Sequence, residues 1–262
     1  MKHTFKSIRN IFNWNTPILI ILSSFSTYIC ISKSWLMDLP MTIIGIAVVF
    51  PIVFSIGGAY KRREVALVYY GNIKALSRMM YFASRDWLRD DDNRAKENIE
   101  EFKNLLVQTM AIIRKFFMTK TIEDQLQKEE ELYITFSKLS KTVEVLRDRG
   151  LSGSEVSRVH SFLSKLIMAF ESFKHIFQYR TPRTLRTYSR VFIFVIPILY
   201  APCFAFIADG KPVAVALILP TLFSLIFTSL DNIQEHLENP FDQVGEDDIK
   251  INCVKFERNL EL

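Results

Sequence analysis

The chain has few of the residues that make tight turns and few that staple a fold covalently or through metal. Glycine is scarce, at 8 of 262 residues, which suits long packed helices better than a turn-rich β-sandwich or barrel. The three cysteines, Cys30, Cys203 and Cys253, lie far apart without metal-ligand spacing, so nothing points to a disulfide framework. Two of them sit in apolar runs, where cysteine acts as a small buried hydrophobe. His3, His160, His175 and His236 form no H-x-x-x-H or H-E-x-x-H pair, and no Gly-rich phosphate loop or nucleophile elbow occurs. These absences argue against an enzyme, and no metal or other cofactor is expected. A membrane enzyme would need a polar cluster that the sequence does not show. No basic–aromatic array of the nucleic-acid-binding kind occurs either.

What is present is segregated. The chain is 49% hydrophobic yet 23% charged, with the apolar runs at its two ends and the charge in the middle. The formal charge of +5 is modest, and much of the excess lies beside the apolar runs, where lipid headgroups or topology explain it. Four runs approach the roughly 20 residues that a spanning helix needs: Pro17–Met37, Pro40–Tyr60, Val191–Ala208 and Pro212–Leu230. Asp38-Leu39-Pro40 joins the first pair and Asp209-Gly210-Lys211 the second, giving two hairpins. The basic, then apolar N-terminus has the outline of a signal peptide. No small-residue cleavage site follows and a second apolar run comes at once, so a retained membrane helix is expected.

Orientation follows from the basic residues. Lys2, Lys6 and Arg9 precede the first run, Lys61, Arg62 and Arg63 follow the second, and Arg180, Arg183, Arg186 and Arg190 precede the third. The hairpin loops carry only Lys33 and Lys211. The positive-inside rule therefore places both termini and the middle region in the cytoplasm. The expected organisation is an N-terminal segment and first hairpin over residues 1–60 and a cytoplasmic helical region over 61–189. A second hairpin over 190–230 and a C-terminal segment over 231–262, packed on the bundle, complete it. The expected fold class is an all-α membrane protein.

Pro40–Gly71 is where the chain changes character. Ile46, Phe50 and Phe54, spaced i, i+4, i+8, fall on one stripe of a helix. That stripe suits lipid contact, helix packing or a hydrophobic pore constriction. Pro51 removes the hydrogen bond to Ala47, and a bend is expected there.

The middle region reads as helices throughout. Phe102, Leu105, Leu106, Ile113 and Phe117 keep a helical stripe. Thr121-x-x-Asp124 has the form of a capping pattern and opens a second helix, striped by Ile122, Leu126, Tyr133, Phe136, Leu139, Val143 and Leu146 and stopped at Gly150. Ser154 is expected to start a third, with Val156, Val159, Leu163, Leu166, Phe170, Phe173 and Phe177 as its bundle stripe. His160 reads as a hydrogen-bonded packing histidine. Asp90-Asp91-Asp92 reads as a solvated helix–helix turn rather than a cation site, for want of enough oxygen ligands. The fourth run continues amphipathically and stops at Asn239-Pro240, because proline disfavours helix in the residue before it.

The C-terminal stretch LDNIQEHLENPF, followed by EDDIKINCVKFERNLEL, resembles the closing signature of the bestrophin family, particularly its shorter bacterial-type members. The matching residues are Asp231, Glu238, Asn239, Pro240, Phe241, Asp248, Cys253, Glu257, Asn259 and Leu260. The second run is similar to the family's second helix at Pro40, Gly45, Phe54, Tyr60, Arg62, Ala66 and Gly71. It departs at Ser55-Ile56-Gly57, where the family has R-N-N, and at Arg63-Glu64, where it has paired tryptophans. Thr181-Pro182 looks like the family's T-P-x-P before the third membrane helix, with Arg183 where an apolar aperture residue often stands and Thr184 in place of the second proline.

The resemblance implies a homopentameric ion channel in lipid, with Ile46, Phe50 and Phe54 as the pore neck and Arg183, Lys61 and Arg62 at the cytoplasmic aperture and vestibule. Chloride is the expected permeant ion and the bacterial inner membrane the expected location. A monovalent-cation channel is the alternative within the family, and a non-conducting scaffold with a partner-binding helical region the alternative outside it. Animal bestrophins bind calcium in the acidic loop after N-P-F. Glu246, Asp247 and Asp248 resemble part of that loop, but the spacing differs and His236 replaces a ligand, so a solvated acidic loop is the favoured reading.

Overall fold

The computed structural model describes residues 14–87, 93–179, 183–241 and 248–261, and among these every regular element is a helix. In chain order they are α1 (Asn15–Ser32), α2 (Met41–Asp86), α3 (Asn93–Met118), α4 (Ile122–Asp148) and α5 (Gly153–Gln178). Then follow α6 (Arg183–Leu199), α7 (Ala201–Ile207), α8 (Val213–Ala216), α9 (Ile218–Glu238) and α10 (Cys253–Arg258). The chain divides into two compact units, and the 46-residue α2 contributes to both.

The first unit holds residues 1–63, 180–240 and 244–247. Its core gathers Ile52 of α2, Ile193 and Ile196 of α6, Tyr200, Cys203 and Phe204 at α7, and Phe227 of α9. Cys30 of α1 packs on Ala201 and Ala205, so the two cysteines of the apolar runs are buried, as their setting predicts. Serines tie the helices together. Ser23 Oγ of α1 donates to the Pro197 carbonyl at 2.9 Å, and Thr27 Oγ1 donates back to the Ser23 carbonyl. With little water in an apolar phase, a buried hydroxyl gains from an acceptor of this kind.

The third apolar run is not one straight helix. It breaks at Tyr200, and the segments on either side, Arg186–Leu199 and Ala201–Ile207, are bent by 44°. Pro202 supplies the reason: it has no N–H for the carbonyl one turn earlier, and its ring crowds that turn. The fourth run is also stepped, as α8 and α9 meet at Leu217. By contrast, α2 runs unbroken through Pro51. Gly210, in the turn between α7 and α8, has φ of 71°, a left-handed conformation that glycine adopts without strain.

The second unit holds residues 64–179, 241–243 and 248–262. It is a helical bundle with an aromatic core. The expected α3 stripe is buried throughout: Phe102, Leu105, Leu106, Ile113 and Phe117. On α5, Val156, Val159, Leu163, Leu166, Phe170 and Phe173 are buried and Phe177 packs against their edge. The α4 stripe is corrected in its first turns, where Ile122 is 76% exposed and Leu126 also faces out. The buried set begins only at Leu132 and continues through Phe136, Leu139, Val143 and Leu146. The apolar period extends further than the surface available to bury it.

The caps differ in detail from expectation. Thr121 is the N-cap of α4, but its hydroxyl donates to the Asp124 carboxylate instead of accepting from the backbone. α5 starts one residue before Ser154. Its cap is Ser152, whose side chain accepts from Glu155 N while the Glu155 carboxylate reaches back to Ser152 N, a complete capping box. Gly150 ends the α4 turn with φ of 93°, the left-handed stop expected of it. The acidic turn Asp90–Asp92 lies outside the described residues.

The end of the chain returns into this bundle. Phe241, Ile249, Ile251, Phe256 and Leu260 all join the core. Asn252 caps the short α10 by accepting from Lys255 N at 2.9 Å.

Candidate functional site

α2 carries two different faces in the first unit. Ile52, Ser55 and Ala59 point inward and are almost wholly buried. Their period of three to four residues leaves Ile46, Phe50 and Phe54 on the outward side, where they are 61%, 61% and 62% exposed. Phe50 and Phe54 lie one turn apart, with ring centroids 4.5 Å apart and planes at 74°, an edge-on contact that fixes both rings. Val49, Val53 and Tyr60 extend the outward apolar surface. Three large side chains held in line on one exposed stripe form an apolar ridge that water does not cover favourably.

Beyond the ridge, Lys61 is exposed and Arg62 half-buried. Arg183 is the first residue of α6. Glu246 and Asp247 lie outside the described residues. Asp248 corrects the reading of a solvated loop at its own position: it is 8% exposed, because it directly precedes Ile249 and Ile251, which enter the core of the second unit. Among the described residues no group of three or more His, Cys, Asp or Glu side chains is disposed to hold a metal ion.

Sequence reasoning missed the strongest polar feature of the first unit. Arg186 and Arg190, which serve the charge-bias rule as topology markers, face the closing motif of α9. Arg186 reaches Glu238 at 3.1 Å and Glu235 at 3.6 Å. Arg190 reaches Asp231 at 3.7 Å and Glu235 at 3.6 Å. Gln234 donates to Glu238 at 3.0 Å. The Glu238 side chain is only 3% exposed, and these partners replace the water it has lost. The signal was present as matched helical spacing, 186/190 against 231/235/238, but spacing alone does not tell which stripe meets which.

A second cluster binds α4 to α5. The buried Lys174 ammonium meets Glu129 at 2.8 Å, Glu171 at 2.7 Å and the Tyr133 hydroxyl at 3.2 Å. Tyr133 in turn donates to Glu171. Burial pulls the lysine pKa down, but the hydrogen bonds to Glu129, Glu171 and Tyr133 outweigh it and hold the group well above the ordinary lysine range. His160 Nε2 lies 2.9 Å from Glu144 across the same helix pair, a bridging role that fits the packing reading.

Among the described residues, two helical stretches, Asn15–Ser32 and Val213–Glu238 (α8 and α9 taken together), are long and apolar enough to cross a membrane, and the bent pair at Tyr200 makes a third if it counts as one span. No family model matches the sequence, and no curated protein matches it. Solved structures do. One of a bacterial Bestrophin homolog from Klebsiella pneumoniae, carrying a mutation, aligns with a TM-score of 0.77 at 19% identity, over 94% of this chain and 98% of that one. Another mutant of that homolog aligns at 0.74 and 18% identity, over 99% and 98%. A structure described only as a membrane protein gives 0.77 at 18% identity, over 95% and 98%. The chain has the fold of the bacterial bestrophin homolog, from its first apolar helix to its C-terminal segment.

Proposed function

We propose that this chain is a bestrophin-type ion channel, with the Ile46, Phe50 and Phe54 ridge as its pore neck. The observation that carries the reading is the outward alignment of those three side chains on α2, opposite a face that is fully packed. Five copies around an axis would turn the ridge into stacked apolar rings. Such rings hold back ions by dewetting, and small helix shifts rewet them. Apolar rings have no preference for charge sign, so selectivity falls to charged positions nearby. Rings of Lys61, Arg62 and Arg183 would focus positive potential and favour anions, chloride foremost.

The remaining architecture follows from this. Four crossings are made by α1, the N-terminal half of α2, the bent α6–α7 pair and α8–α9, in a bacterial inner membrane. Both termini lie on the cytoplasmic side, as the basic residues dictate. The outward apolar residues of α1 and α9, among them Ile18, Ile21, Phe25, Leu222 and Ile226, would meet lipid or a second copy. The protein is not an enzyme and takes no cofactor in this reading.

The test is reconstitution of the purified protein in a planar bilayer, with its stoichiometry determined in parallel. A pentamer whose reversal potential follows a chloride gradient is the expected result. Reversal of the opposite sign would assign a cation channel. A monomer or dimer silent under either salt gradient would discard conduction in favour of a scaffold.

A further inference from the structure

The two turns at the ends of α4 are built differently. At its C-terminal end the turn to α5 buries its leucine, Leu151, and leaves Arg147, Asp148, Ser152 and Ser154 exposed, as a turn in water does. At its N-terminal end, 27 residues and about 40 Å of helix away, the order is reversed. Met118, the last residue of α3, is 47% exposed, and Ile122 and Leu126, one turn apart at the start of α4, are 76% and 62% exposed. Single exposed apolar residues are ordinary, but three grouped at one hairpin tip make a patch that calls for a cover.

Which end of the bundle this is follows from the chain. Phe117, beside Met118, has its ring centroid 5.2 Å from that of Phe177 and 4.8 Å from that of Phe241. Those two residues stand where the chain crosses between the units: it leaves the second unit after Tyr179 for α6 and re-enters it at Phe241 from α9. The first unit carries the membrane-length helices, so connectivity alone makes the α3–α4 tip the membrane-side end of the bundle, however the units are turned. Tyr179, 67% exposed at this end, adds an amphipathic ring of the kind that collects at membrane–water interfaces. The tip also satisfies its own polar groups. Thr119 Oγ1 donates to the Lys115 carbonyl at 2.7 Å, Gln125 Nε2 to the Thr119 carbonyl at 2.7 Å, and the Thr121 hydroxyl to the Asp124 carboxylate. A turn whose polar atoms are already paired loses less on leaving water.

We propose that the α3–α4 tip rests in the lipid interface, with Met118, Ile122 and Leu126 entering the boundary between headgroups and acyl chains. Across residues 115–126, Lys115 and Lys120 are offset by Glu123 and Asp124. The tip therefore carries no formal net charge, and apolar burial, not attraction to anionic lipid, holds it. The lysines keep their ammonium groups at headgroup level while their stems lie along the apolar surface. The bilayer thereby supplies the surface that the first turns of α4 lack within the protein. The inference rests on the membrane reading of the first unit, and not on conduction or on the role of the ridge.

The experiment reads the depth of single nitroxide labels on the full-length protein in phosphatidylcholine vesicles. Cys30 and Cys203 are buried, so C253S leaves a background in which an introduced cysteine takes the label. I122C and L126C report on the tip, S154C on the far turn and F25C on the outward face of α1. Collision with oxygen, which concentrates in lipid, is compared with collision with a water-soluble nickel chelate. The oxygen-to-nickel ratio at I122C and L126C should exceed that at S154C several-fold. It should not change as salt is raised, because the tip has no net charge to screen. A ratio at the tip equal to that at S154C, with F25C in lipid, overturns the inference alone. Exclusion of both reagents from the tip would put protein there, a second copy or another segment, and also overturns it. F25C in water would remove the membrane reading itself, and the inference with it.

Discussion

The ring of Phe241 lies stacked on that of Phe117, with centroids 4.8 Å apart and planes 13° from parallel. Phe173 and Phe177 close around it edge-on at 5.1 and 5.4 Å, and Phe241 is left 2% exposed. The residue directly after the helix-stopping Asn239-Pro240 is therefore a plug in the aromatic core of the second unit. F241A should cost about 3–5 kcal/mol, the range for emptying a buried aromatic site, while F241L should cost much less. Thermal unfolding of both variants reads this directly. Equal midpoints for F241A and the parent would remove Phe241 from the core.

That plug explains why the closing motif was legible and its contacts were not. The Asn-Pro stop, the Gly150 stop and the apolar stripes on α3 and α5 depend on neighbours within a few residues, so periodicity and turn chemistry expose them. The exposed Ile122 and Leu126 and the salt-bridge partners of Arg186 depend on what lies across space. The same limit applies to the ridge. Spacing puts Ile46, Phe50 and Phe54 on one stripe, but only the packing of Ile52, Ser55 and Ala59 opposite shows that the stripe faces out.

The Arg186–Glu238 pair should be strongly coupled. Glu238 is nearly enclosed, whereas Arg186 is a third exposed and retains Glu235 as a second partner. E238Q leaves the guanidinium with a neutral acceptor, and R186Q leaves a covered carboxylate without its nearest cation. R186Q should therefore be the more damaging, by about 1–3 kcal/mol against the parent. A double-mutant cycle on thermal unfolding should give a coupling well above that of an exposed ion pair, which is typically below about 1 kcal/mol. Additive single effects would show that the pair contributes nothing specific.

Lys174 makes a prediction about pH. Its folded pKa is raised, so its stabilisation is complete below the pKa of an unfolded lysine, about 10.4, and is lost only as pH rises through the higher folded value. K174M should lower the unfolding midpoint by leaving Glu129 and Glu171 crowded together without a cation. The deficit relative to the parent should stay level from about pH 7 to about pH 9.5, both below that lysine value. A gap that closes across this interval would mean the lysine is not held charged by its partners.

The capping box of α5 offers a local test. S152A removes the acceptor for Glu155 N and should cost about 1 kcal/mol, the usual worth of an N-cap. S154A should cost little, because Ser154 lies inside the first turn and is not the cap. Reversal of that order would put the start of α5 at Ser154.

The ridge on α2 carries the sharpest functional expectation. Phe50 touches Phe54 edge-on and is otherwise open on its outward side, so shortening it disturbs little of the packed face behind. F50A in a ring of five would widen the apolar constriction and shrink the dry length an ion must cross, lowering the barrier that dewetting sets. Its single-channel conductance or its spontaneous open fraction should rise above the parent's, and the unfolding midpoint should change by far less than for F241A. I52A provides the contrast, because Ile52 points into the first-unit core and its loss should reduce stability. Currents from F50A matching the parent's in size and opening would take Phe50 out of the gate.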